Sequence, residues 1–421
     1  MGRRYFGTDG VRGVVGEDLT VELVEQLGRA ATLWSDGGRV FVGRDTRGSG
    51  EELEKAFGRG VVAAGGNAVL AGVLPTPAIA LLALDLGAVI SASHNPPEYN
   101  GVKLFDGQGA KLTDAAEEEI EALFDAPFAG RPGQVDHVGV AEESYLDHIV
   151  ERFGTDLSGL KLVVDCANGA YSGIAPIAFE RLGADVIAIG CDPDGTNINV
   201  GCGATDLTTL QQTVTSSGAN LGVAFDGDGD RMLAVDARGE VVDGDQILAI
   251  LMLHLRVDLV AVTVMANLGL HRLAEERGIH VVTTDVGDRY VIEALRREQG
   301  VLGGEQSGHI IYLRDHVTGD GLAAALLLCG ALEGRTLEDA AAVMPRFPQA
   351  KENIRVASKA LPEAVRDEVE RLNTRFDGRG RVLVRPSGTE PLIRVLAEAE
   401  TASEAEEACA TISALVRREL G

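Results

Sequence analysis

The sequence predicts an α/β protein: three similar α/β domains with mixed, mostly parallel sheets, followed by a smaller C-terminal α+β domain. Three observations carry this. Short apolar strands alternate with helical stretches through three successive rounds, as crossover connections between parallel strands require. Each round delivers a Gly- or Ser-rich polar loop at its third strand. The composition agrees, with 53 glycines for tight turns and aromatics at only 4%, so the core is Val, Leu, Ala and Ile. The expected domain limits are 1–139, 140–238, 239–347 and 348–421.

In the first round, residues 40–42 read as a strand ending in the polar turn Gly43-Arg44-Asp45, before a helix over 51–64. A strand over 68–74 is stopped by Pro75 and Pro77, and a short helix over 78–84 leads to a strand over 88–91. The second round places strands at 160–164, 185–189 and 221–225, with helices at 174–182 and 207–216 between them. The third places helices at 246–255, 270–277 and 289–297 around strands at 259–264 and 280–284. After a linker near 346–351 the pattern changes. A helix over 360–372 precedes strands at 381–385 and 392–397, and a last helix starts near Thr401, where Thr401-Ala-Ser-Glu404 fits a capping box.

The formal charge is -26, which argues against nucleic acid or an anionic membrane as partner. A phosphorylated small molecule remains compatible, because local arginines and lysines can reverse the field inside a cleft. Five cysteines, an odd number without C-x-x-C spacing, point to a reduced, cytoplasmic protein and away from disulfides or zinc. Arg3 and Arg4 are not followed by an apolar stretch, so no secretory leader is expected, and the longest apolar run, 322–332, is too short to span a bilayer.

The loop chemistry points further. The stretch from Ala88 to Phe105 holds Ser91, Ser93, His94 and Asn95 between two apolar runs, with Lys103 downstream. His94 is a poor base for Ser93, since neighbouring side chains on an irregular loop rarely meet. Ser93 reads better as a phosphoryl carrier. Lys103 is either a surface lysine or a general acid/base whose pKa burial has lowered. Asp226, Asp228 and Asp230 alternate with glycines; three such carboxylates repel unless a hard cation, Mg2+ or Ca2+, sits among them. The alternative is a solvated acidic turn. Arg231 follows directly and can reach a phosphate. In Gly303-Gly-Glu-Gln-Ser-Gly-His309, His309 is a second acid/base candidate or a structural histidine, and Glu305 with Ser307 can hold sugar hydroxyls. Arg385-Pro-Ser-Gly-Thr-Glu-Pro-Leu-Ile-Arg394 sets Arg385, Ser387, Gly388, Thr389 and Arg394 around a turn that is either a phosphate cradle or an ordinary hairpin. Gly7-Thr-Asp-Gly-Val-Arg-Gly13 adds a Gly-rich turn carrying Arg12.

Together, and in this order, these loops resemble the α-D-phosphohexomutase superfamily over essentially the whole chain. SASHNP at 91–96 is similar to its phosphoserine loop, DGDGDR at 226–231 to its metal loop, GGEQSGH at 303–309 to its sugar loop, and RPSGTEPLIR at 385–394 to its phosphate loop. GTDGVRG at 7–13, NINVGCGAT at 197–205, VGDRYV at 286–291 and Gln306 are most similar to the bacterial branch acting on glucosamine phosphates. The resemblance implies four domains carrying these loops in turn. It implies interconversion of glucosamine 6-phosphate and glucosamine 1-phosphate through phospho-Ser93 and a sugar 1,6-bisphosphate. Mg2+ would be held by Ser93, Asp226, Asp228 and Asp230, with Lys103 and His309 moving protons, Arg231 at a phosphate and Arg12 among the catalytic residues. The partner expected is a sugar phosphate, with a homodimer as an allowed assembly. Enzymes of mannose or glucose phosphates are the alternative, Tyr99-Asn100-Gly101 being more like theirs; a phosphoserine phosphohydrolase is a more distant one.

Overall fold

The computed structural model describes residues 4–7, 9–387 and 391–421. They form two compact bodies: one holds the chain up to Met265 and then Ile279–Val343, the other Ala266–Gly278 and Met344–Gly421.

The first body contains three sheets. The first has strands β1 (Val11–Val14), β2 (Arg39–Arg44), β3 (Asn67–Val73), β4 (Leu86–Ile90), β5 (Tyr99–Asp106) and β6 (Val135–His137), in the order β1-β5-β4-β2-β3-β6. The second has β7 (Lys161–Asp165), β8 (Asp185–Ile189), β9 (Leu221–Phe225), β10 (Met232–Asp236) and β11 (Val241–Val242), in the order β11-β10-β9-β7-β8. The third has β12 (Leu259–Thr263), β13 (His280–Thr284), β14 (Leu302–Gly304) and β15 (Ile310–Tyr312), in the order β13-β12-β14-β15.

One plan repeats in all three. Two crossovers build a parallel centre, and the next strand doubles back antiparallel: β4 to β5, β9 to β10, β14 to β15. Each polar loop is the turn at that reversal, outside the carboxyl end of a central strand, where open α/β sheets bind ligands. The delivering strands are rigid. Every residue of β4 and β9 is buried, as expected of strands covered on both faces.

The alternation did not mark the helix Val21–Trp34. Thr20 caps it by accepting from Leu23 N at 3.2 Å, a bond worth ~1 kcal/mol. It packs on the helix Gly50–Ala63 so closely that a Cβ on Gly28 would lie 2.3 Å from the Phe57 carbonyl oxygen. The apolar run near 322–332 is the buried helix Gly321–Leu332, and no helix among the described residues is long and apolar enough to cross a membrane. All five cysteines are free.

The second body is an antiparallel sheet of β16 (Gln349–Arg355), β17 (Gly380–Pro386) and β18 (Leu392–Ala399), with β18 central, under the helices Glu363–Phe376 and Ala402–Leu420. Two expectations change here. The expected linker at 346–351 runs into β16, which is paired from Gln349 opposite Glu398; it is a charged edge strand with no apolar run to announce it. The helix expected from 360 starts at Glu363: Pro362 is its N-cap, extended by its ψ of 151° at a φ of -61°. Thr401 caps the last helix by accepting from Glu404 N, and its hydroxyl donates to the Glu404 carboxylate at 2.8 Å.

The helix Leu268–Arg277, third-round in sequence, belongs to this second body. Asn267 Nδ2 donates to Phe347 O at 2.9 Å, and Phe347 N donates back to Asn267 Oδ1 at 3.1 Å. Arg381 donates to Ala266 O, and the Arg272 guanidinium lies 4.7 Å from the centre of the Phe347 ring.

Candidate active site

The three loops of the first body converge. Ser93, in the turn after β4, is buried and has a left-handed φ of 52°. Few residues other than glycine adopt that conformation unless their surroundings impose it. Its hydroxyl donates to Asp226 Oδ2 at 2.6 Å, across 133 residues of chain. One sequence expectation is corrected: Ser93 Oγ does meet its neighbour, at 3.3 Å from His94 Nδ1. Burial, then Arg231 and Arg12, push the His94 pKa down to about 4, so the ring is neutral and weakly basic.

Asp226, Asp228 and Asp230, in the turn after β9, are all buried and present ligand oxygens within 4.8 Å of one another. This excludes the solvated acidic turn. Burial, reinforced by Asp230 and Asp228, drives the Asp226 pKa well above the usual carboxylate range. Asp228 Oδ1 and Asp230 Oδ1 are buried without a hydrogen-bond partner among the described residues. Crowded hard oxygens with unsatisfied lone pairs fit a hard divalent cation.

Lys103, on β5, is buried beside them, with Nζ 2.7 Å from Asp228 Oδ2, 3.2 Å from Asp230 Oδ2 and 3.4 Å from Asp9 Oδ2. It is not at the surface, and its pKa is not lowered. Burial pulls the value down, but Asp228, Asp230 and Asp9 outweigh burial and hold it well above the ordinary lysine value. The first body therefore keeps an ammonium at the edge of the carboxylate cluster.

His309, between β14 and β15, is buried with Nδ1 3.6 Å from Asp230 Oδ1 and Nε2 3.4 Å from Asp288 Oδ2. Burial lowers its pKa, and Asp288 and Asp230 raise it by more. Glu305 accepts from Gly287 N at 3.2 Å, and burial raises its pKa. Gln306 Nε2 reaches Asp243 Oδ2 at 3.4 Å, at the N-cap of the helix Gly244–His254. Ser307 is exposed at the tip of the turn. Arg12 lies on β1, opposite Gly101 of β5, and pairs with Asp9. Arg231 N donates to Asp226 Oδ1 at 3.1 Å. Arg12 Nε and Arg231 Nε are both buried without a hydrogen-bond partner among the described residues. Both act electrostatically on His94, the neighbour of Ser93, and buried guanidiniums with unused donors suit a phosphoryl group.

In the second body, Arg385 on β17 and Arg394 on β18 face each other as cross-strand partners. Like charges so placed repel. Ser387 is buried, its N–H bonded to Leu392 O at 2.8 Å and its carbonyl accepting from Lys359 Nζ at 2.8 Å. Gly388 and Thr389 lie outside the described residues.

Four models of Phosphoglucomutase/phosphomannomutase match in order: alpha/beta/alpha domain I at 3–129, domain II at 143–239, domain III at 243–347 and the C-terminal domain at 352–415. A phosphoglucosamine mutase of Pelotomaculum thermopropionicum is 49% identical over 428 residues, covering 96% of both chains. The chain belongs to the phosphoglucomutase/phosphomannomutase family. Other relatives of this phosphohexomutase include phosphoglucosamine mutases of Moorella thermoacetica, 49% identical over 96% of this chain and 97% of the relative, and Clostridioides difficile, 42% identical over 99% and 100%. Among solved structures, a phosphoglucomutase/phosphomannomutase family protein of Burkholderia thailandensis aligns with TM-score 0.85 at 26% identity, covering 99% of this chain and 98% of that one. An N-acetylphosphoglucosamine mutase of Aspergillus fumigatus, solved with GlcNAc-6P and magnesium, shares the fold at TM-score 0.71 and 19% identity, covering 99% and 96%.

The site of this phosphohexomutase includes residues that sequence reasoning did not single out. Thr76 donates to Asp228 Oδ2 at 2.6 Å; its only signal was a polar residue between two prolines after β3. Lys111 Nζ bridges Asp9 Oδ1 at 2.5 Å and Asp288 Oδ2 at 2.6 Å, so a partly buried ion chain runs from the N-terminal turn to His309. Asp9 and Asp288 lay inside quoted motifs without a role, and nothing in the sequence marked Lys111.

Proposed function

We propose that this phosphohexomutase interconverts glucosamine 6-phosphate and glucosamine 1-phosphate, with Ser93 carrying the phosphoryl group and a sugar 1,6-bisphosphate as intermediate. The observation that carries the mechanism is the placement of the Ser93 hydroxyl, 2.6 Å from Asp226 inside the carboxylate cluster. The shared name of relatives 42–49% identical over nearly the whole chain supports the amino sugar as substrate.

Ser93, Asp226, Asp228 and Asp230 would hold Mg2+, which when bound neutralises charge on the transferring group and on the serine oxygen as it leaves. In the transfer the bond from phosphorus to Ser93 Oγ breaks as one to the sugar hydroxyl forms. The hydroxyl loses a proton and the serine oxygen gains one, so one acceptor and one donor are needed. Lys103 and His309 are the candidates for these two roles. Lys103, which Asp228, Asp230 and Asp9 hold well above the ordinary lysine value, is taken as the donor, and His309, raised by Asp288 and Asp230, as the acceptor. The return transfer from the turned bisphosphate to Ser93 uses the same groups with roles reversed. Arg12 and Arg231 offer guanidinium N–H groups to the moving phosphoryl oxygens. Glu305, Gln306 and Ser307 orient the sugar. Arg385, Ser387, Gly388, Thr389 and Arg394 hold the phosphate that is not reacting.

Two outcomes test this reading. His309→Gln should cost roughly 10²–10⁴ in kcat, the usual contribution of a general acid or base. In the native enzyme kcat/KM should rise with pH as His309 loses its proton, above the ordinary value of 6.5, and that rise should vanish in the variant. A variant that keeps the native rate and pH profile removes His309 from the mechanism. For the substrate, kcat/KM with glucosamine 6-phosphate should exceed those with mannose 6-phosphate and glucose 6-phosphate when Mg2+ and a trace of sugar 1,6-bisphosphate are supplied. A preference for either neutral sugar overturns the assignment.

A further inference from the structure

Arg47 lies in the turn after β2 and is fully buried, its side chain 0% exposed. All five of its guanidinium N–H groups are used. Nε donates to Asp45 Oδ2 at 2.9 Å. Nη2 donates to Ser93 O and to Asn95 O, each at 2.8 Å, and Nη1 to Tyr99 O at 3.0 Å and to Pro96 O. Four carbonyls of one irregular loop thus converge on one planar cation, which a lysine's compact ammonium cannot reproduce.

A second chain of bonds closes the loop from the N–H side. Asp45 Oδ2 accepts from Ser91 Oγ at 2.6 Å, and Ser91 Oγ accepts from Ser93 N at 2.9 Å. Ser93 is therefore held by both its N–H and its C=O, which is what a non-glycine residue needs to stay at a φ of 52°. The same turn reaches the metal loop. Thr46 Oγ1 donates to Asn168 O at 2.5 Å, and two residues on, Ala170 N donates to Gly227 O at 2.9 Å. Asn199 Nδ2 adds bonds to Ser93 O at 2.9 Å and Asn95 O at 3.2 Å.

We propose that Arg47, with Asp45 and Ser91, is the positioning hub of the reaction: it fixes the strained backbone at Ser93, in a turn whose Thr46 is bonded to the segment that supports the carboxylate loop. None of the three touches the reacting atoms. Their effect is to keep Ser93 Oγ on Asp226 before and after each transfer, which rests on the mutase reading. A small displacement there costs rate and leaves ground-state binding of the sugar unchanged.

The test pairs kinetics with amide hydrogen exchange on the full chain, using Arg47→Lys, Ser91→Ala and Ser91→Thr. With glucosamine 6-phosphate, Mg2+ and a trace of sugar 1,6-bisphosphate, Arg47→Lys should lose about 10²-fold in kcat with KM little changed, the scale expected for a misplacement of about 1 Å. Ser91→Ala should fall in the same direction, and Ser91→Thr, which restores the bridging hydroxyl, should recover. Amides of residues 93–99 should exchange faster in the two impaired variants while those of β4 and β9 keep their protection. Native kcat in folded Arg47→Lys and Ser91→Ala overturns the proposal, as does a threonine variant no better than alanine. If Arg47→Lys does not fold, Ser91→Ala and Ser91→Thr decide it. If the native chain itself turns over no sugar phosphate, the mutase reading fails. The exchange data then decide the hub alone: faster loop exchange supports it and unchanged loop exchange overturns it.

Discussion

The Ser93→Ala variant is expected to lose about 10⁴-fold or more in mutase turnover, as when a nucleophile is removed from other covalent catalysts. It should also take up no phosphoryl group from a sugar 1,6-bisphosphate, read as an unchanged intact mass. The reason is positional. Ser91 lies two residues away, but its hydroxyl is spent between Asp45 and Ser93 N and cannot replace the lost oxygen. His94 offers no substitute, since its ring is neutral with a pKa near 4 and its link to a phosphoryl group would have to form without the placement that Asp226 gives Ser93. Full mutase activity in this variant would sink the phosphoserine mechanism. Steady release of inorganic phosphate by the native enzyme would instead favour hydrolysis.

The second large effect concerns the carboxylate cluster. Mg2+ should raise the melting temperature of the native protein, by the equivalent of about 2.7 kcal/mol at a hundredfold excess over its dissociation constant. Asp228→Asn should abolish most of that rise. It should also lower kcat by roughly 10²-fold or more, since loss of even a ligand's supporting partner costs 10- to 100-fold. Asp228 is chosen because its Oδ2 is engaged by Lys103 and Thr76 while Oδ1 has no partner among the described residues. The asparagine keeps the shape and removes the charge. Calorimetric unfolding with and without Mg2+ checks the first outcome. An Mg2+-dependent shift of native size in the variant would remove Asp228 from the metal site.

Much of this site was legible because its chemistry is dense and local. The spacing of Asp226, Asp228 and Asp230 pointed to a cation with a solvated acidic turn as the alternative, and the three polar loops could be placed at strand ends from the alternation of elements. What escaped was everything that depends on another part of the chain. The sequence offered burial as one reading of Lys103, but not that carboxylates 125 and 127 residues away would surround it and reverse its pKa shift. Thr76 carried only the weak signal of a polar residue between two prolines and Lys111 none, because their partners Asp228, Asp9 and Asp288 are distant in sequence. Arg47 lay just past the polar turn Gly43-Arg44-Asp45 and drew no reading, yet its five donors are the framework behind Ser93. Among the elements, β16 was read as a linker because an edge strand of alternating charged residues has no apolar period.

The helix Leu268–Arg277 has a consequence for how such a protein can be cut and inherited. The C-terminal body is discontinuous in sequence, its first piece lying between β12 and β13. A breakpoint near residue 344 looks clean in sequence, yet it would strip Phe347 of both its bonds to Asn267 and Arg381 of Ala266. A fragment or a chimaera joined there would carry the sheet without a helix that belongs to it. Recombination between relatives that keeps this body intact has to move two segments together, so the boundaries along the gene and the boundaries of the folded parts do not coincide.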